Sequence, residues 1–113
     1  MIIERGDILL VDLEPVKGSE QGKIRPCLVI QNNLGNSSSP TTVVAAITSN
    51  TEKEYPFTVK VDKGEGNLPK DSLIQLNQIR TISMQDRAIK KIGKLANPKM
   101  NEVNEAIKVS LGL

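Results

Sequence analysis

Residues Asp7-Ile8-Leu9-Leu10-Val11-Asp12-Leu13 are apolar at nearly every position. A strand exposed on one face alternates apolar and polar side chains, so this one is expected to be buried on both faces or at a barrel seam. Glu14-Pro15 ends it, because proline has no N–H to give to a ladder. Further β-branched and apolar runs follow at 25–31, 41–48, 55–61 and 72–77, the last nearly continuous with 80–83, and a final strand is expected at 89–95. The polar tract 32–40 reads as a mobile, turn-rich connection, and 62–69 as a loop. Ser83 stands three residues before Asp86, which predicts one capped helical turn over 84–87. Asn97-Pro98 reads as an N-cap with proline behind it; Met100, Val103, Ile107 and Leu111 form one helical stripe, and Gly112 stands where a C-cap belongs. The expectation is a mainly β domain spanning residues 1–113: a small SH3-like barrel or curled antiparallel sheet with a C-terminal helix.

At 113 residues such a chain is near the size where a single core is marginal, and its only aromatics are Tyr55 and Phe57. Ile, Leu, Val and Ala must fill the core, and a subunit interface would add buried area. The net charge of +2 does not by itself indicate nucleic-acid binding. Locally, Arg80, Arg87, Lys90, Lys91 and Lys94 face only Asp86, which reads as a solvated basic face. One cysteine, Cys27, permits no internal disulfide and is expected to be a buried small hydrophobe in a reducing compartment. No apolar run approaches the ~18 residues of a membrane span and no signal peptide opens the chain, so a cytoplasmic protein is expected.

The chain has no histidine, which excludes Ser-His-Asp, Cys-His and two-histidine ribonuclease mechanisms. Neither a Cys-rich zinc site nor an evident two-metal carboxylate site can be assembled, so no metal or other cofactor is expected. What remains is chemistry in which the substrate supplies the nucleophile, as in RNA cleavage through its own 2′-hydroxyl. Such a site must align the reacting atoms, stabilise charge on the phosphoryl oxygens and move a proton. The stretch Gly18-Ser19-Glu20-Gln21-Gly22-Lys23-Ile24-Arg25-Pro26 is longer and more polar than a simple hairpin connection and reads as a functional loop. Arg25 offers a planar, permanently charged fork that matches phosphate oxygens, Glu20 is the only acid in the loop, and Thr48 ends a strand with a hydroxyl.

Gly-Ser-Glu-Gln-Gly-x-x-Arg-Pro, preceded by Arg5-Gly6-Asp7 and by Val11 to Pro15, resembles the MazF/PemK (Kid-like) toxin family. The resemblance extends over Leu28 to Asn32, Val44 to Thr48, Asp71 to Ile74, Gln78 to Ile82 and Ser110-Leu111. It implies a plasmid-maintenance-toxin-like fold and a metal-independent endoribonuclease. The enzyme would cut single-stranded mRNA at specific sequences, leaving 2′,3′-cyclic phosphate and 5′-hydroxyl ends. By resemblance Arg25 and Thr48 are the principal catalytic residues, with Glu20, Gln78 and Arg80 lining the RNA site. Ser19, Gln21 and Lys23 of the same loop are expected to contact RNA as well. The family works as a homodimer and is neutralised by an antitoxin through an acidic, largely disordered C-terminal segment, which suits basic residues such as Lys17, Lys23 and Arg80. Gly18 and Gly22 lead to the expectation of a loop free to move under such control. The alternative is a non-enzymatic toxin that inhibits DNA gyrase on the same fold.

Overall fold

The computed structural model describes all 113 residues. Strands β1 (Asp7–Asp12), β2 (Ile24–Val29), β3 (Thr41–Thr48), β4 (Thr58–Val61), β5 (Ser72–Ser83) and β6 (Ala88–Lys94) form one antiparallel sheet in the order β4-β5-β3-β2-β1-β6. Helices α1 (Asn33–Ser38), α2 (Met84–Arg87) and α3 (Asn97–Leu111) complete the chain, with a short 3₁₀ turn at Glu65–Asn67. No helix is long and apolar enough to cross a membrane.

The run at 7–13 does bury both faces. Ile8 enters a cluster with Leu28, Ala45, Ile74, Leu76 and the inner side of α3. Its neighbours Leu9, Val11 and Leu13 enter a second cluster with Cys27, Val29, Val44 and Ile82. Each fully buried Leu or Ile contributes roughly 1.5–3 kcal/mol through removal of apolar surface from water. Asp7, at the mouth of this strand, is buried, and its charge is matched by Lys91 Nζ at 3.2 Å and by the Glu4 N–H at 2.8 Å.

Several expectations need correction. Tract 32–40 is not a loose connection but holds α1: Asn32 Oδ1 accepts the Gly35 N–H at 2.8 Å, and Ser38 Oγ donates to the Leu34 carbonyl at 2.7 Å. Leu34 is 83% exposed, so the helix has no apolar face and left no periodic trace in the sequence. The 55–61 run becomes a strand only at Thr58, because Tyr55 to Thr58 closes a turn first. In α3 the cap is Ala96 rather than Asn97, since the Met100 N–H reaches the Ala96 carbonyl. The buried stripe is Met100, Val103 and Ala106, with Ile107 half-buried and Leu111 58% exposed. In the last turn it is Ser110 that meets the sheet, its Oγ donating to the Leu76 carbonyl at 2.6 Å, so Leu111 falls one position outside. The cap of α2, Ser83 Oγ accepting the Asp86 N–H, and Gly112 in left-handed conformation after α3 match the sequence reading.

The basic cluster is also different from a free solvated face. Lys91 and Lys94 pair with Asp7 and Glu4 from the other end of the chain. Arg87 Nη1 donates to the carbonyls of Asp12 and Glu14, and Arg80 Nη1 to that of Leu13. Two arginines thus fasten the segment from which the long loop departs.

Candidate active site

The long loop leaves β1 at Leu13 and re-enters the sheet at Ile24. It is tied at several points rather than loose. Lys23 N–H donates to a Glu14 carboxylate oxygen, Lys17 N–H to Glu20 Oε1 at 2.7 Å, and Gln21 N–H to Gln78 Oε1 at 3.1 Å. Gln78 Nε2 in turn donates to the Ser19 carbonyl at 3.4 Å, so that one side chain on β5 holds the loop from both sides. Gly22 lets the Glu14 carboxylate lie close over the backbone: a Cβ there would meet Glu14 Oε2 and lie 2.7 Å from Val16 Cγ2, so the Glu14 side chain would have to move aside. Lys23 next to it adopts φ +66, a left-handed conformation that costs a non-glycine residue energy and is found where function fixes a backbone.

Arg25 is the second residue of β2 and is half-buried. Its Nε–H donates to the Gly22 carbonyl at 2.7 Å and Nη1 to the Ile47 carbonyl at 3.3 Å. A guanidinium has five N–H donors, so most of the fork stays available on a fixed mount. Thr48, the last residue of β3, accepts the Asn50 N–H on Oγ1 at 3.1 Å, which leaves its hydroxyl hydrogen free to donate. Cys27 lies fully buried on the strand that carries Arg25. Burial pushes its thiol up to about 12, against the pull of the Arg25 and Arg80 charges, so it is a packing residue and not a nucleophile at neutral pH.

These residues border three adjoining clefts. One, of about 290 Å³, lies between Leu13, Pro15, Glu20, Gln21, Gln78 and Arg80. A second, of about 280 Å³, is lined by Gln21, Thr48, Asn50, Tyr55, Phe57, Gln75 and Asn77. A third, also about 280 Å³, brings Lys23, Arg25 and Lys70 together with Ser49 and Ser72 and contains no acid. The structure therefore gathers Glu20, Gln21, Gln78 and Arg80, and separately Arg25 with Lys23; Thr48 faces the middle cleft. Glu20, exposed, belongs to a different cleft from Arg25 and Thr48, and Ser19 takes part through its carbonyl. No group of three or more His, Cys, Asp or Glu side chains is placed to hold a metal ion.

The sequence reading missed Gln75, Asn77 and Lys70. Asn77 is placed by a bulge that begins just after Gln75: Ala46 pairs with Gln75 but Ala45 pairs with Ile79, so Leu76, Asn77 and Gln78 swell out between them. Bulges bend a strand and re-aim its side chains, here sending Gln78 to one cleft and Asn77 to the one that Gln75 lines. The available signal was the polar Gln-x-Asn-Gln break in an otherwise apolar strand.

Fold and site together define a small curled-sheet protein whose rim carries an arginine fork, a strand-end hydroxyl and a tied polar loop. The chain belongs to the PemK-like, MazF-like toxins of type II toxin–antitoxin systems, whose family model matches residues 4–111. It is 50% identical over 113 residues to Endoribonuclease MazF of Staphylococcus saprophyticus, a match spanning 99% of this chain and 93% of that one. Its fold resembles a crystal structure of MazF from Deinococcus radiodurans at 21% identity, with TM-score 0.86 over 100% of this chain and 99% of that one. It also resembles a mycobacterial endoribonuclease solved in complex with its cognate antitoxin, at 22% identity and TM-score 0.81 over 98% and 96% of the two chains.

Proposed function

We infer that this chain is the toxin of a type II toxin–antitoxin system and acts as an endoribonuclease. The observation that carries the reading is the mounting of Arg25 beside the strand end that bears Thr48, in a chain with this family membership. We propose single-stranded mRNA as the substrate and 2′-hydroxyl attack as the reaction. The substrate 2′-oxygen bonds to phosphorus as its proton passes to a base, and the bond from phosphorus to the 5′-oxygen breaks. The departing oxygen takes up a proton, leaving a 2′,3′-cyclic phosphate and a 5′-hydroxyl.

In this scheme the free N–H groups of Arg25 and the hydroxyl of Thr48 donate to the phosphoryl oxygens as charge develops there. Donors fixed in advance by carbonyl anchors lose little freedom at that moment, which is what makes such stabilisation effective. Glu20 is the proposed base, brought toward the reacting hydroxyl by movement of the loop, because its carboxylate is otherwise engaged by the Lys17 N–H. Gln78, Arg80, Gln21, Ser19 and Lys23 would hold the flanking nucleotides. A homodimer is proposed on the family resemblance and on a core poor in aromatics, and a cognate antitoxin is proposed as the inhibitory partner. Gyrase inhibition finds no support among the relatives above. The deciding experiment incubates purified protein with long single-stranded RNA, maps the new 5′ ends and tests them for a free hydroxyl. Intact RNA alongside blocked DNA supercoiling would overturn the reading.

A further inference from the structure

Gln75 has a use that the reading above leaves unassigned. Its Oε1 is buried and has no hydrogen-bond partner. Keeping a buried carbonyl oxygen unsatisfied is costly, and native chains seldom do so without a reason. Gln75 is the last residue of β5 in register with Ala46 before the bulge, and two residues on, Asn77 faces the same cleft. Across that cleft are Tyr55 and Phe57, whose rings stack with centroids 4.9 Å apart and planes 7° from parallel. These are the chain's only aromatics, and both are committed to this one place. Their turn is pinned to the bulge, since the Leu76 N–H donates to the Phe57 carbonyl at 3.0 Å. Lys53 Nζ, 5.8 Å from the Tyr55 ring centroid, adds a cation at the rim, next to Glu52.

We propose that this cleft is a specificity pocket for one unstacked RNA base adjoining the phosphate handled by Arg25 and Thr48. The inference rests on the nuclease reading of the site. Single-stranded RNA is read by splaying a base out, packing its ring face against aromatic side chains and hydrogen-bonding its edge. Here the half-exposed Gln75 side chain turns its buried Oε1 toward the cleft to accept an N–H from the base edge, the Asn77 amide meets the neighbouring edge atom, and the Phe57–Tyr55 stack forms the apolar wall. A base offering only an acceptor at that depth leaves both oxygens unpaired and is rejected. Thr48 lines the same cleft, so the base read there is held beside the reacting group.

The test compares wild type with Gln75→Leu and Asn77→Ala on a random-sequence RNA pool, sequencing the new 5′ ends. Wild type should show a base preference at several positions. Gln75→Leu should lose preference at one position by at least tenfold, keep the others, and melt at the same or a higher temperature because an unsatisfied polar atom is gone. An unchanged preference, or a lower melting temperature with uniform loss at every position, would overturn the pocket. Because Tyr55 is the only tyrosine and there is no tryptophan, its emission provides a binding readout that does not depend on cleavage. Titration with non-cleavable, 2′-deoxy-substituted RNA of the preferred sequence should change that emission, and a single-base change at the position in question should weaken binding at least tenfold. Emission indifferent to saturating RNA would also overturn it. If wild type cuts RNA with no preference, the pocket alone falls; if it cuts no RNA, the nuclease reading falls and the pocket with it.

Discussion

Arg25 reaches across to the strand end that Thr48 closes: β2 pairs with β3 as far as Cys27 opposite Ala46, and beyond that point the Arg25 side chain spans to β3 beside Thr48. The 3.3 Å bond from Arg25 Nη1 to the Ile47 carbonyl fixes the guanidinium on the residue next to that threonine. A positive fork and a hydroxyl are thereby presented at one sheet end by rigid backbone, while the groups of the loop approach from the side.

Arg25→Lys should lower RNA cleavage at least 100-fold with the fold retained, because lysine keeps the charge but not the planar fork. Arg25→Ala should abolish cleavage and also cost about 1–2 kcal/mol of stability, since two half-buried bonds to carbonyls are lost. Single-turnover cleavage and urea unfolding, measured together, separate the two effects. A lysine variant as active as wild type would remove Arg25 from the chemistry.

Gly22→Ala should disable the loop without unfolding the sheet. The added Cβ displaces the Glu14 carboxylate, which then releases the Lys23 N–H, and the Gly22 carbonyl that anchors Arg25 shifts with it. Cleavage is expected to fall at least tenfold, with stability reduced by about 1 kcal/mol as one backbone bond is lost. Normal activity would mean that this loop geometry does not set the position of Arg25.

Much of the sheet was legible because β1 and β3 carry continuous apolar runs, and such runs admit few placements. The caps at Ser83 and Gly112 were equally readable, since a side chain or a φ requirement is written in one residue. Helix α1 was not, because its turns are held by Asn32 and serine hydroxyls rather than by an apolar face. Arg25 and Thr48 stood out from chemistry and from the family resemblance, but Asn77 depends on a bulge opposite Ala45 and Ala46 that no periodicity announces. The partners of Lys91 and Lys94 were hidden for another reason: they lie more than eighty residues away along the chain.

Cleavage should proceed in the presence of excess chelator, because the chain has no histidine and the proposed nucleophile is the RNA's own 2′-hydroxyl. The matching DNA, which lacks that hydroxyl, should remain intact. Loss of activity on chelation, restored by magnesium, would contradict the mechanism.

Cys27 should make the fold sensitive to alkali. Its pKa rises from 9.0 to about 12 on folding, so between those values the unfolded chain has lost the thiol proton while the native chain still holds it. Native protein then binds more protons than unfolded protein, and stability falls as pH rises, by up to roughly 1.4 kcal/mol per unit from this group. Below pH 9 both states are protonated and the contribution is flat. Cys27→Ala lowers stability at neutral pH by removing buried volume, but its decline above pH 9 should be shallower than wild type's. Parallel pH curves for the two proteins would refute the assignment.

The last expectation concerns inhibition. An acidic antitoxin segment and RNA both need unpaired cations, and the ion pairs of this chain engage Lys91, Lys94, Lys99 and Lys108 but not Lys17, Lys23 or Lys70. Lys23 and Lys70 share the acid-free cleft with Arg25, so a carboxylate-rich peptide seated there would cover the place where the phosphate must lie. Between Pro15 and Gly22 the loop is tied to the sheet through Gln78 alone, which bonds Gln21 and Ser19, a hold slight enough for a peptide to displace. Peptide and RNA should therefore exclude one another, and both should bind more weakly as salt rises, RNA with a log–log slope of about −0.7 per phosphate contact. Lys23→Gln with Lys70→Gln should reduce both slopes and weaken both ligands at low salt while leaving the melting temperature within a few degrees. Titrating peptide into a complex of the Arg25→Ala variant with labelled RNA decides the matter. Release of RNA in proportion to bound peptide supports a shared site, and a ternary complex with RNA affinity unchanged would show that inhibition acts elsewhere.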